Sequence, residues 1–136
     1  MKIYLSGPMR GLKDFNFPAF DDGQSFLESL GHKVFSPAQQ DRLRGFNLMG
    51  RTGHEDVSEF GMNIRETLAM DTEFIALEAD AVALLPGWER SNGALAEMYL
   101  ARAVGIPVGL LEYFDEDGPF REVVLERHTR AIIEAA

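Results

Sequence analysis

The sequence contains no cysteine, and this absence removes several kinds of chemistry at once. Without thiols the chain forms no disulfide bond, no thiolate metal site and no cysteine nucleophile. The histidines His32, His54 and His128 show no metal-ligand spacing, and no paired aspartate motif accompanies them. We therefore expect neither a metal ion nor a cofactor, and the lack of cysteine is typical of a cytoplasmic protein.

Positive charge is also scarce in this chain. Its 13 lysines and arginines stand against 22 acidic residues, which gives a formal net charge of −9 at pH 7. Binding to nucleic acid needs clustered basic residues that neutralise phosphates, so this balance argues against DNA or RNA as a partner. A small anionic molecule can still bind where local groups overcome the overall negative field.

Long hydrophobic runs are missing as well. The most apolar stretch, residues 81–85, is far too short to span a bilayer. The N-terminal Met1 and Lys2 lead directly into a short apolar run, without the pattern of a signal peptide. From 136 residues that are 46% hydrophobic and 26% charged, we expect a single cytoplasmic domain over residues 1–136.

Short apolar runs typical of buried strands alternate along the chain with segments whose apolar residues have helical spacing. The predicted strands are residues 2–6, 33–35, 81–85 and 107–111, and the predicted helices are residues 17–30, 55–78, 92–104 and 120–136. Gly61 is a candidate break within the second helix. Residues 38–53 are polar and predict a long loop of the kind that acts as a lid or mobile segment. The alternation predicts an α/β fold with helices on both faces of a parallel sheet.

In such a sheet, ligands bind beyond the carboxyl ends of the strands, which here means the segments after Ser6 and after Leu85. The first segment brings glycine-flanked backbone amides together with one arginine, a common way to hold a phosphate or carboxylate. It comprises Gly7, Pro8, Met9, Arg10 and Gly11. Its spacing matches neither Gly-x-Gly-x-x-Gly nor a P-loop. The alternative is a glycine turn with a solvated arginine.

The second segment leads into the helix over residues 92–104. Ser91 or Asn92 can cap this helix, which leaves free amides facing the crevice. Gly93 and Glu97 are four residues apart and share one helix face, so a carboxylate could reach a substrate over the glycine. The alternative is a Glu97 on a solvated face near the helix N-terminus. Trp88 either packs or lines the pocket wall.

Asp71 and Ser6 are two further polar side chains with a possible role in chemistry. Asp71 lies in the helix before the third strand and could be delivered to the same crevice, although a solvated helix face is the alternative. Ser6 has no evident histidine and aspartate partners, which argues against a serine hydrolase.

In combination these residues resemble the nucleoside 2-deoxyribosyltransferase-like superfamily, above all its small phage and bacterial branch of uncharacterised domains. The likeness spans residues 1–111, and the superfamily includes 2′-deoxynucleoside 5′-phosphate N-hydrolases. It is carried by residues 4–11, Asn16, Phe20, residues 53–56, Arg65, Glu66, Asp71, residues 85–89, Ser91, Gly93, Ala94 and Glu97.

The resemblance implies a three-layer flavodoxin-like or Rossmann-like fold with four to five parallel strands. It implies cleavage of the base–sugar bond of a (2′-deoxy)nucleoside 5′-monophosphate, with Glu97 as nucleophile and Asp71 as assisting acid. Tyr4 matches the aromatic residue that helps to position the sugar and the catalytic carboxylate. Residues 6–11 and Ser91 would hold the 5′-phosphate, with Trp88 and Gly93 lining the pocket, and the chain would form a homodimer or a higher homo-oligomer.

Two alternatives to this hydrolase remain open: a non-catalytic nucleotide-binding or sensing module, and a nucleoside 2-deoxyribosyltransferase. The transferases use a C-terminal asparagine from a neighbouring subunit, and residues 112–136 of this sequence contain no asparagine. Transfer between free nucleosides is therefore less well supported than hydrolysis of a monophosphate.

Overall fold

The structure is a computed structural model, and it describes residues 1–124. Helices alternate with the strands of a parallel sheet, and a short antiparallel hairpin follows. In chain order the elements are β1 (Lys2–Ser6), α1 (Phe17–Ser29), β2 (Lys33–Phe35), α2 (Pro37–Leu43), α3 (Ile64–Leu77), β3 (Ala81–Leu84), α4 (Asn92–Val104), β4 (Val108–Leu110), β5 (Phe114–Asp115) and β6 (Gly118–Pro119).

The sheet has the order β2-β1-β3-β4, and its strands are all parallel. The register places Tyr4 opposite Phe35 of β2 on one side and Val82 of β3 on the other. Because β2 and β3 are added on opposite sides of β1, the carboxyl ends of β1 and β3 flank the topological switch point. The expected α/β class with a three-layer, flavodoxin-like or Rossmann-like parallel sheet is confirmed, with four strands.

Side-chain alternation along β1 decides which helices cover each face of the sheet. Ile3 and Leu5 belong to a buried cluster with residues of α1 and α2, whereas Tyr4 belongs to a second cluster with residues of α3 and α4. Ser6 shares the face of Tyr4 because it lies two residues further along the strand. The polar end of β1 therefore points toward α3 and α4.

The predicted loop over residues 38–53 is wrong in its first part, because α2 occupies residues 37–43. Ser36 takes the extended backbone of an N-cap residue and Pro37 stands at the first helical position, where its missing amide hydrogen costs nothing. The helix buries only Pro37, Ala38 and Asp41, so it gives no clear apolar periodicity. The Ser-Pro pair was the signal that could have predicted it.

The predicted helix over residues 55–78 is confirmed only from residue 64 onward. A single turn of 3₁₀ helix, Val57–Phe60, ends at Gly61, whose positive φ of 83° stops it. The side chain of Asn63 then caps α3 by accepting hydrogen bonds from the amides of Arg65 and Glu66. Capping and a left-handed glycine thus divide what the hydrophobic pattern presented as continuous.

The segment after α2 packs against the loop that follows β1. The amide of Gly11 donates a hydrogen bond to the carbonyl oxygen of Gly53 at 2.8 Å. The amide of Asp14 donates one to the carbonyl oxygen of Arg51, also at 2.8 Å. A Cβ on Gly53, where φ is 93°, would lie 2.0 Å from the carbonyl oxygen of Leu12. Only glycine allows this close approach of two backbones.

The C-terminal helix predicted over residues 120–136 falls mostly outside the described residues. Its first part, residues 120–124, is not helical, because Phe120 and Arg121 form a bend and irregular chain follows. Within residues 1–124, none of the helices has the length and apolar character needed to cross a membrane.

Candidate active site

The carboxyl group of Glu97 lies buried between β1 and α4, with only 6% of the residue exposed. The Tyr4 hydroxyl donates a hydrogen bond to its Oε2, and the Ser6 hydroxyl donates one to its Oε1 at 2.8 Å. Two hydroxyls from the sheet therefore hold both oxygens of one carboxyl. The alternative of a solvated Glu97 does not describe this structure.

Asp71 lies on the same side of the sheet, on α3, and is 7% exposed. Burial first, and then the charges of Glu97 and Asp71, raise the pKa of the fully buried Tyr4 hydroxyl. Both carboxyls therefore lie close to the same hydroxyl. The structure brings Tyr4, Ser6, Asp71 and Glu97 into one polar cluster, and Asp71 is not on a solvated helix face.

Burial changes the acidity of both carboxyls. It raises the pKa of Glu97 to about 7, against the lowering effect of the hydrogen bonds from Tyr4 and Ser6. It also raises the pKa of Asp71 to about 7, and the charge of Asp41 adds to that increase. The cluster can therefore hold or release a proton near neutral pH, as acid–base catalysis requires.

The first turn of α4 lies one helical turn before Glu97. The hydroxyl oxygen of Ser91 caps the helix by accepting a hydrogen bond from the amide of Ala94 at 3.1 Å. Gly93 is exposed, and a Cβ built on it would meet only the Ser91 hydroxyl, at 3.9 Å. Packing does not demand glycine here, so open space lies over the turn that precedes Glu97.

The loop after β1 meets the loop after β3 at the switch point. A Cβ on Gly7 would lie 2.7 Å from the Cβ of Leu85, and one on Gly87 would lie 3.2 Å from the ring of Pro8. Glycine at these two positions lets the loops approach each other. The structure therefore brings the two predicted segments together at one edge of the sheet.

The remaining residues of these two segments either pack against the buried clusters or are exposed. Met9 packs against the cluster on the α1 side, and Trp88 packs against the cluster on the α3 and α4 side, which is the packing role expected as one alternative. Arg10 and Gly11 are exposed. The pKa of Asp56 is lowered, mainly by hydrogen bonds from Ser58 and in part by the charge of Arg10.

Three residues near the cluster were not predicted: Asp41, Arg44 and Thr67. Asp41 is 3% exposed and pairs with Arg44 at 2.8 Å, and burial raises its pKa to about 6. No local pattern marks Asp41, since α2 itself was missed. Among residues 1–124, no group of three or more acidic or histidine side chains is arranged to hold a metal ion.

The fold and this cluster define a doubly wound α/β domain with a buried carboxyl and hydroxyl site at its switch point. The chain belongs to the family described as Domain of unknown function (DUF4406), whose profile matches residues 1–110 and so includes the whole cluster. That description assigns no activity. No curated protein matches the sequence.

Proposed function

We propose that this protein is an N-glycosidase that cleaves the base–sugar bond of a (2′-deoxy)nucleoside 5′-monophosphate. The observation that supports it most is the buried Glu97 carboxyl, which accepts hydrogen bonds from Tyr4 and Ser6 and has Asp71 nearby. A nucleophilic carboxylate beside a separate acid is the pair of groups that retaining glycoside hydrolysis needs. The likeness to the deoxyribosyltransferase-like superfamily supplies the substrate class.

The proposed reaction has two steps. First, a Glu97 oxygen bonds to the anomeric carbon as the bond to the base breaks, and Asp71 gives its proton to the departing base. Water then attacks the same carbon, its proton passes to the Asp71 carboxylate, and the sugar phosphate leaves as the bond to Glu97 breaks. The cluster returns to its starting charge, and no cofactor is consumed.

The hydrogen bonds divide these roles between the two carboxyls. Tyr4 and Ser6 each donate to Glu97, which favours its ionised form. Asp71 faces the negative charge of Asp41, which favours its protonated form, while Tyr4 and Arg44 act in the opposite direction. Because the two carboxyls have pKa values of about 7 each, we assign the nucleophile to Glu97, whose two oxygens accept hydroxyl hydrogen bonds, and the acid to Asp71. Near neutral pH a working fraction of the protein has both groups in the required state.

The phosphate would be held at the meeting point of the two loops. The exposed Arg10 supplies a guanidinium group, and the amides of the loop after β1 supply neutral donors. Ser91 stands at the N-terminus of α4, where a helix favours negative charge. The open space over Gly93 would connect this phosphate site to Glu97.

A nucleotide-binding module without catalysis is the second candidate. It is favoured by the engagement of both Glu97 oxygens and by the 6% exposure of the residue, because a nucleophile must present a free oxygen. In such a module the cluster would stabilise the fold under the ligand instead of reacting with it.

The deciding experiment incubates the protein with a panel of ribo- and deoxyribonucleoside 5′-monophosphates and measures free base by chromatography. We expect base from at least one of them, and none with Glu97→Ala. The matched control is Glu73→Gln on α3, whose side chain is exposed. Binding without release of base would support the module, and wild-type activity in Glu97→Ala would exclude the proposed nucleophile.

A homodimer is part of the proposal. Ile64 and Leu68 of α3 are four residues apart on one helix face, and they are 45% and 41% exposed; Tyr99 of α4 is 44% exposed. Burial of such side chains against a second copy would stabilise an assembly. Sedimentation equilibrium should give twice the monomer mass, and a monomer mass at all concentrations would contradict this part.

A further inference from the structure

Near the end of α2 lies an ion pair that does not touch the proposed substrate, and a hydrogen bond joins it to α3. Arg44 follows α2, and its Nη2 donates to the Oδ1 of Asp41 at 2.8 Å and to the hydroxyl of Thr67 at 3.1 Å. Asp41 is 3% exposed and Thr67 is 8% exposed. A buried carboxylate that holds a guanidinium group needs a strong reason to persist, since replacing such pairs with apolar residues often stabilises a protein.

The position of this pair gives that reason. Thr67 and Asp71 are four residues apart in α3 and share one face of the helix, so the guanidinium lies one turn from the Asp71 carboxyl. Charged and titratable groups face Asp71 from each neighbouring element. They are Tyr4 of β1, Asp41 of α2, Arg44 after α2 and Glu97 of α4.

We propose that the Asp41–Arg44 pair is a positioning element that adjusts how readily the buried Asp71 carboxyl gives up its proton. This inference rests on the proposed function, in which Asp71 must donate that proton to the departing base. The two members act in opposite directions: the negative charge of Asp41 holds the proton on Asp71, and the positive charge of Arg44 promotes its loss. The pair therefore adjusts the acid without touching the substrate.

Three proteins separate these two effects: the wild type, Asp41→Asn, and the double variant Asp41→Asn with Arg44→Gln. Asp41→Asn keeps the shape of the side chain but removes its negative charge, so the Arg44 cation stays beside Asp71 without its ion-pair partner. The midpoint of Asp71 titration should fall by about one pH unit. Removing Arg44 in that background should move the midpoint back up, because the cation is gone.

The primary measurement is a carbon-13 NMR titration of the Asp71 carboxyl, which reports its protonation whether or not the protein is an enzyme. The second is the pH dependence of base release, whose alkaline limb should follow the loss of the Asp71 proton. We expect the same order in both: the lowest midpoint in Asp41→Asn, with the double variant returning toward the wild type.

The chain offers a matched control pair. Arg42 of α2 makes an ion pair with Asp21 of α1 through two hydrogen bonds, at 2.7 and 2.8 Å. Unlike Asp41, both side chains are well exposed, Arg42 at 34% and Asp21 at 41%. Asp21→Asn, alone or with Arg42→Gln, removes the same kinds of charge, and Arg42 lies on the same helix as Asp41. These variants should leave the Asp71 midpoint unchanged.

The outcomes are distinct for the two proposals. If the Asp71 midpoint in Asp41→Asn equals that of the wild type, or falls further in the double variant, the positioning role is wrong even when base is released. If the midpoints shift as expected but no monophosphate yields free base, the proposed function fails while the control of the Asp71 proton stands. Thermal unfolding of each variant verifies that it is folded.

Discussion

Tyr4 and Glu97 are 93 residues apart in sequence, and the hydroxyl of the first donates a hydrogen bond to the carboxyl of the second. Tyr4 is fully buried in the centre of β1 and packs on Phe35 with ring centroids 5.5 Å apart. Its hydroxyl is thereby held in place under the first half of α4. This contact joins the strand to the helix at the point where the proposed chemistry occurs.

Tyr4→Phe should destabilise the ionised form of Glu97, because it removes a hydrogen bond to that carboxylate. The lost hydrogen bond lowers the Glu97 pKa in the wild type, so the variant should have a pKa above about 7. The acidic limb of the rate profile should move to higher pH by about one unit. Tyr99→Phe is the control, because Tyr99 is exposed on the same helix. An unchanged limb in Tyr4→Phe would show that the hydroxyl does not act on Glu97.

Gly93→Ala should raise the thermal stability of the protein and at the same time weaken its binding of the substrate. Alanine favours a helix over glycine by up to about 1 kcal/mol, which corresponds to a rise of about 2–4 °C in Tm. The new methyl group lies in the open space before Glu97, so KM for the monophosphate should rise about tenfold, the equivalent of 1.4 kcal/mol.

The control for Gly93 is the opposite substitution at an exposed position of α4, Ala103→Gly. It should lower Tm and leave KM unchanged. If Gly93→Ala raises Tm but binds and reacts like the wild type, the space over this turn is not part of the substrate site.

Arg10→Gln should distinguish phosphorylated from unphosphorylated substrates. Loss of a guanidinium that contacts a phosphate should raise KM for the monophosphate roughly tenfold or more and leave KM for the free nucleoside unchanged. Arg65→Gln on α3 is the control, since Arg65 is also exposed. Equal effects on both substrates would place Arg10 outside the phosphate site.

Stability should fall as pH rises from about 4 to about 7. Asp41, Asp71 and Glu97 have folded-state pKa values raised to about 6, 7 and 7, so the folded protein holds protons that the unfolded chain has already lost. Stability from these groups is full below the unfolded pKa values and is lost as pH passes the folded ones. In that window each group lowers the free energy of unfolding by up to about 1.4 kcal/mol for each unit that the pH rises.

Urea unfolding at pH 5, 6 and 7 measures this slope. Glu97→Gln, which mimics the protonated side chain, should make it shallower and raise the free energy of unfolding at pH 7, whereas Glu73→Gln should change neither. Glu55, whose pKa is lowered to about 2, acts in the opposite direction, but only below about pH 5, so it leaves the slope between pH 5 and 7 unchanged. A wild type that becomes more stable from pH 5 to 7 would contradict the raised values.

Much of the fold could be predicted because its signals are local. Short apolar runs bounded by turn residues predicted the strands over residues 2–6 and 33–35, and helical spacing predicted the helices over residues 17–30 and 92–104. These bounds match the observed elements to within about one residue. The segments with weak local signals were the errors: α2 buries a single side of two turns, and Gly61 and Asn63 divide the next predicted helix.

The sequence by itself determined that Gly93 and Glu97 share a helix face and that glycine-rich segments follow two strands, because spacing within one element fixes both. Only the tertiary structure decided that Tyr4 and Ser6 donate to Glu97, and that Asp41 and Arg44 stand beside Thr67 and Asp71. These groups lie on separate elements, and their meeting depends on strand order and on the side of the sheet that each helix covers. Burial, which gives the carboxyls their raised pKa values, likewise arises only when α3 and α4 close over β1.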